Sequence, residues 1–286
     1  MYRVLLVCLV MAFYSHVAVA SSGQSALDFL NLPAGARAMS LGQGGFAAIE
    51  GPEAIFTNPS LLGKNAGVFA CHQELLLDTH SEAASAAIPL GDKYTMALGM
   101  HLFSPGEITR YDANNQKGGD INAGDRLVRL GLSKRGEISY GFSLSYYNQR
   151  LDDRTGNGFG IGGGITLETD YGRYSFTAEN WGPDFSIAGS SSPLPSRLSL
   201  SGLYFLTMYP VDLSFDISYR NHDSFRGALG IEYSPFNGLG LILGGNNADF
   251  ISMGVRFTAD IISIDYSYIP KSDFGDRHIF DIKISK

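Results

Sequence analysis

Cysteine is almost missing from this chain: Cys8 and Cys71 are its only two. Cys8 lies in an N-terminal stretch expected to be removed, so the mature chain would keep Cys71 alone and could form no intrachain disulfide. Charge is scarce too, at 17% of residues against roughly 25% in a soluble globular protein. The balance is acidic, with a formal net charge of -7 and no basic tract, which argues against nucleic acid as a partner. Past the first twenty residues no apolar run approaches the roughly 20 residues of a transmembrane helix. There is no G-x-S-x-G elbow. The histidines of the mature chain, His72, His80, His101, His222 and His278, are scattered, with no spacing that suggests a triad or a metal site. No catalytic residue, metal or cofactor is expected, and the chain reads as a non-enzyme.

Glycine, by contrast, is plentiful, at 35 of 286 residues against an average of about 7%. Few charges with much glycine fit a sheet with one face toward lipid and one crowded face. Residues 1–20 read as a secretory leader. Arg3 supplies the positive start, residues 4–14 are apolar, and Ala18-Val19-Ala20 is an A-x-A site, so cleavage is expected after Ala20. No cysteine follows the apolar run, which excludes a lipoprotein signal.

From Gly67 onward the pattern is period-2 alternation, the mark of strands. Ile138, Tyr140, Phe142, Leu144 and Tyr146 alternate with Ser139, Gly141, Ser143 and Ser145. Met96, Leu98, Met100 and Leu102 alternate with Thr95, Ala97, Gly99 and His101, and similar runs start at Val211 and Ile262. A soluble sandwich would alternate as well, but three features favour a membrane barrel. The strands reach about 9–11 residues, enough to cross a bilayer at a tilt. Tyr and Phe gather near strand ends, as girdles require. Short connections (91–92, 134–136, 170–172, 207–210, 235–238, 258–260) take turns with long ones (104–124, 148–157, 181–195). The expected fold is all-β: a closed antiparallel transmembrane β-barrel of about 14 strands over residues 66–286, in the outer membrane of a Gram-negative-type bacterium, with outer-membrane lipid as its first partner.

Residues 21–65 differ. The stretch 29–62 is rich in Ala and Gly and shows no long alternation. Pro33 can open a short helix over 34–41 that Gly42 stops. Pro52 opens a second short piece over 53–56, ended by Asn58-Pro59. Small compact elements of this kind suit a plug folded inside the barrel, and the stretch is too apolar to remain a solvated tail. Gly42, Gly44 and Gly45 permit sharp turns or close approach to a wall. Arg129, Glu168, Glu179, Asp216, Glu232, Arg256 and Asp265 fall on inward faces, where an unpaired charge is costly. Arg37 of the plug is the natural partner for one of these carboxylates. Gly158-x-Gly160-x-x-Gly163 matches a dinucleotide fingerprint by letter but sits within a strand, without the strand-turn-helix such a site needs; its glycines are expected to leave room beside the plug.

Phe29-Leu30, Gly35-Ala36-Arg37-Ala38, the Gly42, Gly44, Gly45 cluster, Ala54 and Asn58-Pro59 together resemble the N-terminal signature of the PorV/PorQ family, within the FadL-like outer-membrane proteins. Asn58-Pro59-Ser60 stands where that family usually has Asn-Pro-Ala, and Gly51-Pro52-Glu53 where it often has an acidic pair. The resemblance implies a barrel that assists type IX secretion or surface anchoring, with secretion components or exported proteins as partners, contacted through 104–124 and 181–195. The alternative is FadL-like uptake of long-chain fatty acids or other hydrophobic compounds, with Phe46, Ile49, Ile55 and Phe56 as ligand contacts. A third reading is a passive outer-membrane scaffold. A shared fold hosts many functions, so the site must decide.

Overall fold

A computed structural model describes residues 25–221, 225–248, 251–270 and 275–286; the leader assigned to residues 1–20 lies outside them. The described strands are β1 (Gly67–Glu74), β2 (His80–Leu90), β3 (Tyr94–Ser104), β4 (Ile108–Tyr111), β5 (Lys117–Ile121), β6 (Ala123–Lys134), β7 (Ile138–Leu151), β8 (Arg154–Thr169) and β9 (Gly172–Trp181). They continue as β10 (Phe185–Ile187), β11 (Ser190–Ser192), β12 (Arg197–Leu206), β13 (Val211–Arg220), β14 (Phe225–Phe236), β15 (Leu239–Asn246), β16 (Ser252–Ala259), β17 (Ile262–Ile269) and β18 (Arg277–Ser285). Fourteen of them form one closed antiparallel barrel. Closure comes from β1 pairing with β18, Gly67 opposite Ser285 through Glu74 opposite His278. β4 and β5 form a separate hairpin above β3 and β6. β10 and β11 form a second, which folds back so that Ser186 pairs with Asn157 of β8.

Alternation decides which residue faces where. On β3, Met96, Leu98 and Met100 are exposed, whereas Thr95, Ala97 and His101 are buried. The same phase runs round the ring, leaving a continuous outer band of exposed Leu, Ile, Val, Met, Phe and Tyr. Water would oppose exposure of so much apolar area, and hydrocarbon is the medium that suits it. The connections alternate in length as the sequence suggests, with one correction. Residues 148–157 are not a loop: β7 and β8 run up to a turn at 152–153, pairing Asn148 with Asn157 and Leu151 with Arg154. The polar side chains there stand above the apolar band yet remain in the ladder.

Residues 26–62 lie within the barrel and are almost all buried. The plug comprises a 3₁₀ turn at Asp28–Asn31, one short α-helix, α1 (Ala36–Ser40), and 3₁₀ turns at Pro52–Phe56 and Pro59–Leu61. Helix α1 is shorter than the expected 34–41, and the turns around Phe29 and after Pro59 have no counterpart in the expected pattern. The chain enters at the end with the long connections, where the Ala26 amide donates to the Pro193 carbonyl (3.0 Å). It leaves at the short-turn end, where the Thr95 hydroxyl donates to the Gly63 carbonyl (2.6 Å).

The plug fits because the wall opposite it lacks side chains. Any Cβ at Gly141 would strike the Pro59 carbonyl group, and one at Gly244 would strike the backbone of residues 40–42. Gly99 and Gly131 make room for Ile55 and Phe56, and Gly164 for Asn58. The glycines at 158 and 160 act differently from expectation: their space is taken by Phe185 and Tyr147, not by the plug. Bulk at the contact positions should push the plug off its seat. Gly141→Val and Gly244→Val are each expected to lower the thermal unfolding midpoint of the purified barrel, overpacking being worth about 1–3 kcal/mol or more. Gly227→Val, where a Cβ meets nothing within 4 Å, serves as the control and should leave the midpoint in place.

Candidate functional site

Three of the plug's attachments involve the residues singled out from the sequence; others include the Ala36 amide donating to Asp281 (2.6 Å) and the Gln73 side chain donating to the Pro33 carbonyl (2.8 Å). The first is Asn58-Pro59-Ser60. The Asn58 carboxamide oxygen accepts from the Ser60 amide (3.2 Å) and hydroxyl (2.7 Å), capping the turn. Its nitrogen donates to Thr166 Oγ1 of β8 (3.2 Å). Pro59 fits at the first position of the turn because it has no N–H to satisfy there. The Ser60 hydroxyl adds a contact to the wall, Ser60 Oγ to Thr166 Oγ1 at 2.6 Å.

The second attachment sets the end of α1 against β15 and β16. Gly42 has φ +78°, a left-handed conformation that ends the helix and that glycine tolerates best. Its amide donates to Ser252 Oγ (3.1 Å), and its carbonyl accepts from Asn246 (2.8 Å). The Ser252 hydroxyl donates to the Ser40 carbonyl (2.8 Å). Gly44 abuts Asp216 and Ala228 of the wall, and Gly45, at φ +67°, turns the chain back over Leu41.

The third attachment is electrostatic. Arg37 is buried and reaches Glu232 of β14 through two donors, Nε (3.0 Å) and Nη2 (2.7 Å), while Nη1 donates to the Ala48 carbonyl (2.6 Å). Glu232 also meets Arg256 (3.3 Å), which holds Asp265 (2.7 Å). Across the lumen Glu179 sits between Arg129 (3.1 Å) and Arg197, and Arg197 lies over the Phe46 ring at 4.4 Å, a cation–π distance. Arg173 bridges Glu168 (2.9 Å) of its own hairpin and Glu50 (3.0 Å) of the plug. Asp216 has a neutral partner, the Ser201 hydroxyl. Of the inward charges expected from the sequence, all but Asp216 thus meet an opposite charge, and Glu232 meets one from the plug.

One local irregularity concentrates this network. Against β8, Ile161 pairs with Trp181 but Gly163 pairs with Ala178, so β9 carries an extra residue at 179–180. Asn180 takes φ +57°. The bulge turns both Glu179 and Asn180 inward, where strict alternation would send one outward. Both meet Arg129, and the Tyr147 hydroxyl donates to Asn180 Oδ1 (3.1 Å).

Above the plug, at the long-connection end, lies a cavity of about 410 Å³, within the usual size range of ligand sites. Phe29, Leu32, Leu75, Leu76 and Phe103 supply its apolar lining, and Arg220, Arg226 and Arg277 project around it, with Asp28 as the acidic exception. Three guanidinium groups at one mouth stand out in a chain of net charge -7. Phe46, Ile49, Ile55 and Phe56 do not line this cavity. Each is buried in the plug: Phe46 beneath Arg197, Ile55 against Gly99 and Gly131, Phe56 beside Phe69 and His101, and Ile49 fully enclosed. The mouth arginines were accessible to sequence reasoning in part. Arg220 continues the inward phase of Ser214, Asp216 and Ser218, and Arg277 shares the phase of Ile279 and Asp281.

No family model and no curated protein matches the sequence. Solved structures resemble the fold. The toluene transporter TbuX of Ralstonia pickettii superposes with a TM-score of 0.56 at 14% identity, over 90% of this chain and 99% of its own. A FadL homologue of Pseudomonas aeruginosa gives 0.58 at 12% identity, over 89% and 97%. The CymD monoaromatic hydrocarbon channel gives 0.57 at 15%, over 90% and 98%. At such identities the likeness establishes a shared barrel fold and nothing finer.

Removing one partner of a buried ion pair strands the other, at a cost of about 3–5 kcal/mol. Arg37→Ala should therefore loosen the plug and raise passage of small antibiotics through the barrel, read as increased drug sensitivity at unchanged protein level. Unchanged sensitivity would mean that Arg37 does not hold the plug. Glu50 offers a milder test. Burial would raise its carboxyl, but Arg173, Arg37 and Lys283 together hold it below its usual value of 4.5. A lowered folded value means the link is complete above about pH 4.5 and is lost as pH falls through that lowered value. Glu50→Gln should slightly lower the unfolding midpoint at neutral pH and match the wild type in stronger acid.

Proposed function

We propose that this protein is a gated outer-membrane channel for hydrophobic molecules, exported by its leader with cleavage after Ala20. The mouth cavity is the observation that carries this reading. Its apolar lining strips water from a hydrocarbon portion, and a solute held there rests directly on the plug. The three arginines favour solutes that also bear an anionic head, since a guanidinium pairs well with a carboxylate. That points to long-chain fatty acids before plain hydrocarbons. Passage beyond the mouth requires the plug to shift, and the attachments at Arg37 and Ser40–Gly42 are the ones such a shift must break. Phe46, Ile49, Ile55 and Phe56 would then line the opened path. Two structural neighbours, a toluene transporter and a monoaromatic hydrocarbon channel, support uptake as the general class.

The secretion role implied by the PorV/PorQ resemblance draws on the N-terminal residues. Those residues are fully engaged in seating the plug, a task that a channel needs as much as a secretion partner does. The outward features at 108–121 and 185–192 are small hairpins, a limited surface for gripping a folded protein. Growth and uptake in a deletion strain distinguish the readings. With the wild-type gene restored, labelled long-chain fatty acid should enter several-fold faster than in the deletion. Arg220→Gln with Arg277→Gln should slow the acid more than toluene. Normal uptake in the deletion, with surface proteins retained in the periplasm, would overturn the channel in favour of secretion.

A further inference from the structure

A second cavity, of about 310 Å³, lies on the outside of the barrel wall, across the tops of β2, β3, β6 and β7. Its lining includes Glu82, Leu102, Gly124, Arg126 and Arg150, whose side chains belong to the outward phase. Gly124 leaves the floor open. Arg126 is exposed, and its guanidinium has neither a hydrogen bond nor an ion pair among the described residues. Arg150 commits only its Nε, to the Asp152 carbonyl (3.2 Å). The neighbouring cations are already engaged: Arg110 with Asp152, and Arg154 with Asp153 (3.4 Å). Two carboxylates also line the cavity, and both are engaged: Glu82 with His72 (2.6 Å), and Asp125, of the inward phase, accepting from Gln149 (2.8 Å).

Height along the wall gives these two arginines their meaning. Arg126 stands opposite Leu102 on one side and Asn148 on the other. One outward step lower, Val128 stands opposite Met100 and Tyr146, all three exposed and apolar. Arg126 therefore lies at the upper edge of the hydrocarbon band, facing out of the barrel, where lipid headgroups are its neighbours. A guanidinium fork matches the oxygens of a phosphate, and two forks in one groove can share them.

We infer that this groove binds a phosphate-bearing lipid of the leaflet at the long-connection end, with Arg126 and Arg150 on the phosphate and the acyl chains running down over Met100 and Val128. The site is separate from the mouth and independent of what the channel carries. It tethers a boundary lipid beside the β4–β5 hairpin.

The test uses the whole mature protein in an uncharged maltoside detergent, with bound lipid counted by native mass spectrometry. Dioctanoyl phosphatidic acid should bind, and dioctanoyl glycerol, which has the same chains and no phosphate, should not. Arg126→Gln with Arg150→Gln should weaken phosphatidic acid binding by at least about tenfold. Lys134→Gln, at the opposite rim, should leave it unchanged. Heat-shifted mobility on a gel checks that the barrel is folded; if the double variant fails that check, Arg126→Lys, which keeps the charge and loses the fork, should still show weaker binding. Equal binding by the folded variant, or equal binding of dioctanoyl glycerol, would overturn the proposal. So would displacement of the lipid by an equal concentration of inorganic phosphate or polyglutamate, which would make the occupant something other than a lipid.

Discussion

Closure of β1 onto β18 is the constraint from which the rest follows. In a hydrocarbon medium every backbone N–H and C=O must find a partner within the protein, and a sheet meets that demand only when it has no edge. Once the ring closes, each strand has one face to lipid and one to the lumen, and alternation becomes compulsory. The outer face can then be uniformly apolar because no second layer of protein covers it. The inner face inherits the opposite problem, a fixed space with polar walls that must be filled.

Filling that space explains the composition. Fourteen strands enclose room for a segment of about forty residues because the wall lacks side chains where the plug comes nearest, at Gly141, Gly164, Gly244 and Gly254. Charges at such a contact would be intolerable singly. They occur instead as chains, Arg37–Glu232–Arg256–Asp265 on one side and Arg129–Glu179–Arg197 on the other. Pairs of this kind add little net stability compared with apolar packing, but they strongly disfavour misplacement, because sliding the plug leaves several charges stranded at once. Apolar packing adds to this seating: Phe29, Met39, Ile55, Phe56 and Leu62 of the plug share one buried cluster with Phe69, Ala97, Leu127 and Ile279 of the wall.

The two cavities show the same division in miniature. Inside, the three mouth arginines sit above the plug on apolar ground, where an amphiphile could rest. Outside, Arg126 and Arg150 cross the upper limit of the apolar band. Both sets are guanidinium groups at the same end of the barrel, but they stand on different strands, β13, β14 and β18 for the lumen set and β6 and β7 for the outer one.

Much of this was written in the linear order of residues. Period-2 alternation dictates strands and assigns each side chain a face, so the barrel, its even strand number, the inward placement of His101 and Glu232, and the expectation that Arg37 would seek a carboxylate could all be read along the chain. Tertiary structure decided what local pattern cannot encode. Residues 148–157 look like a loop because their polar side chains break the apolar rhythm, yet the ladder continues above the lipid. The bulge at 179–180 changes phase by a single residue and has no compositional mark. Arg220 and Arg277 each show their face, but their convergence depends on ring closure, which brings together strands far apart in sequence. Alternation is a local property of the pleated backbone and is therefore visible residue by residue; which lumen-facing groups meet, and which Gly contacts plug instead of Tyr147 or Phe185, is set by the curvature and register of the closed sheet.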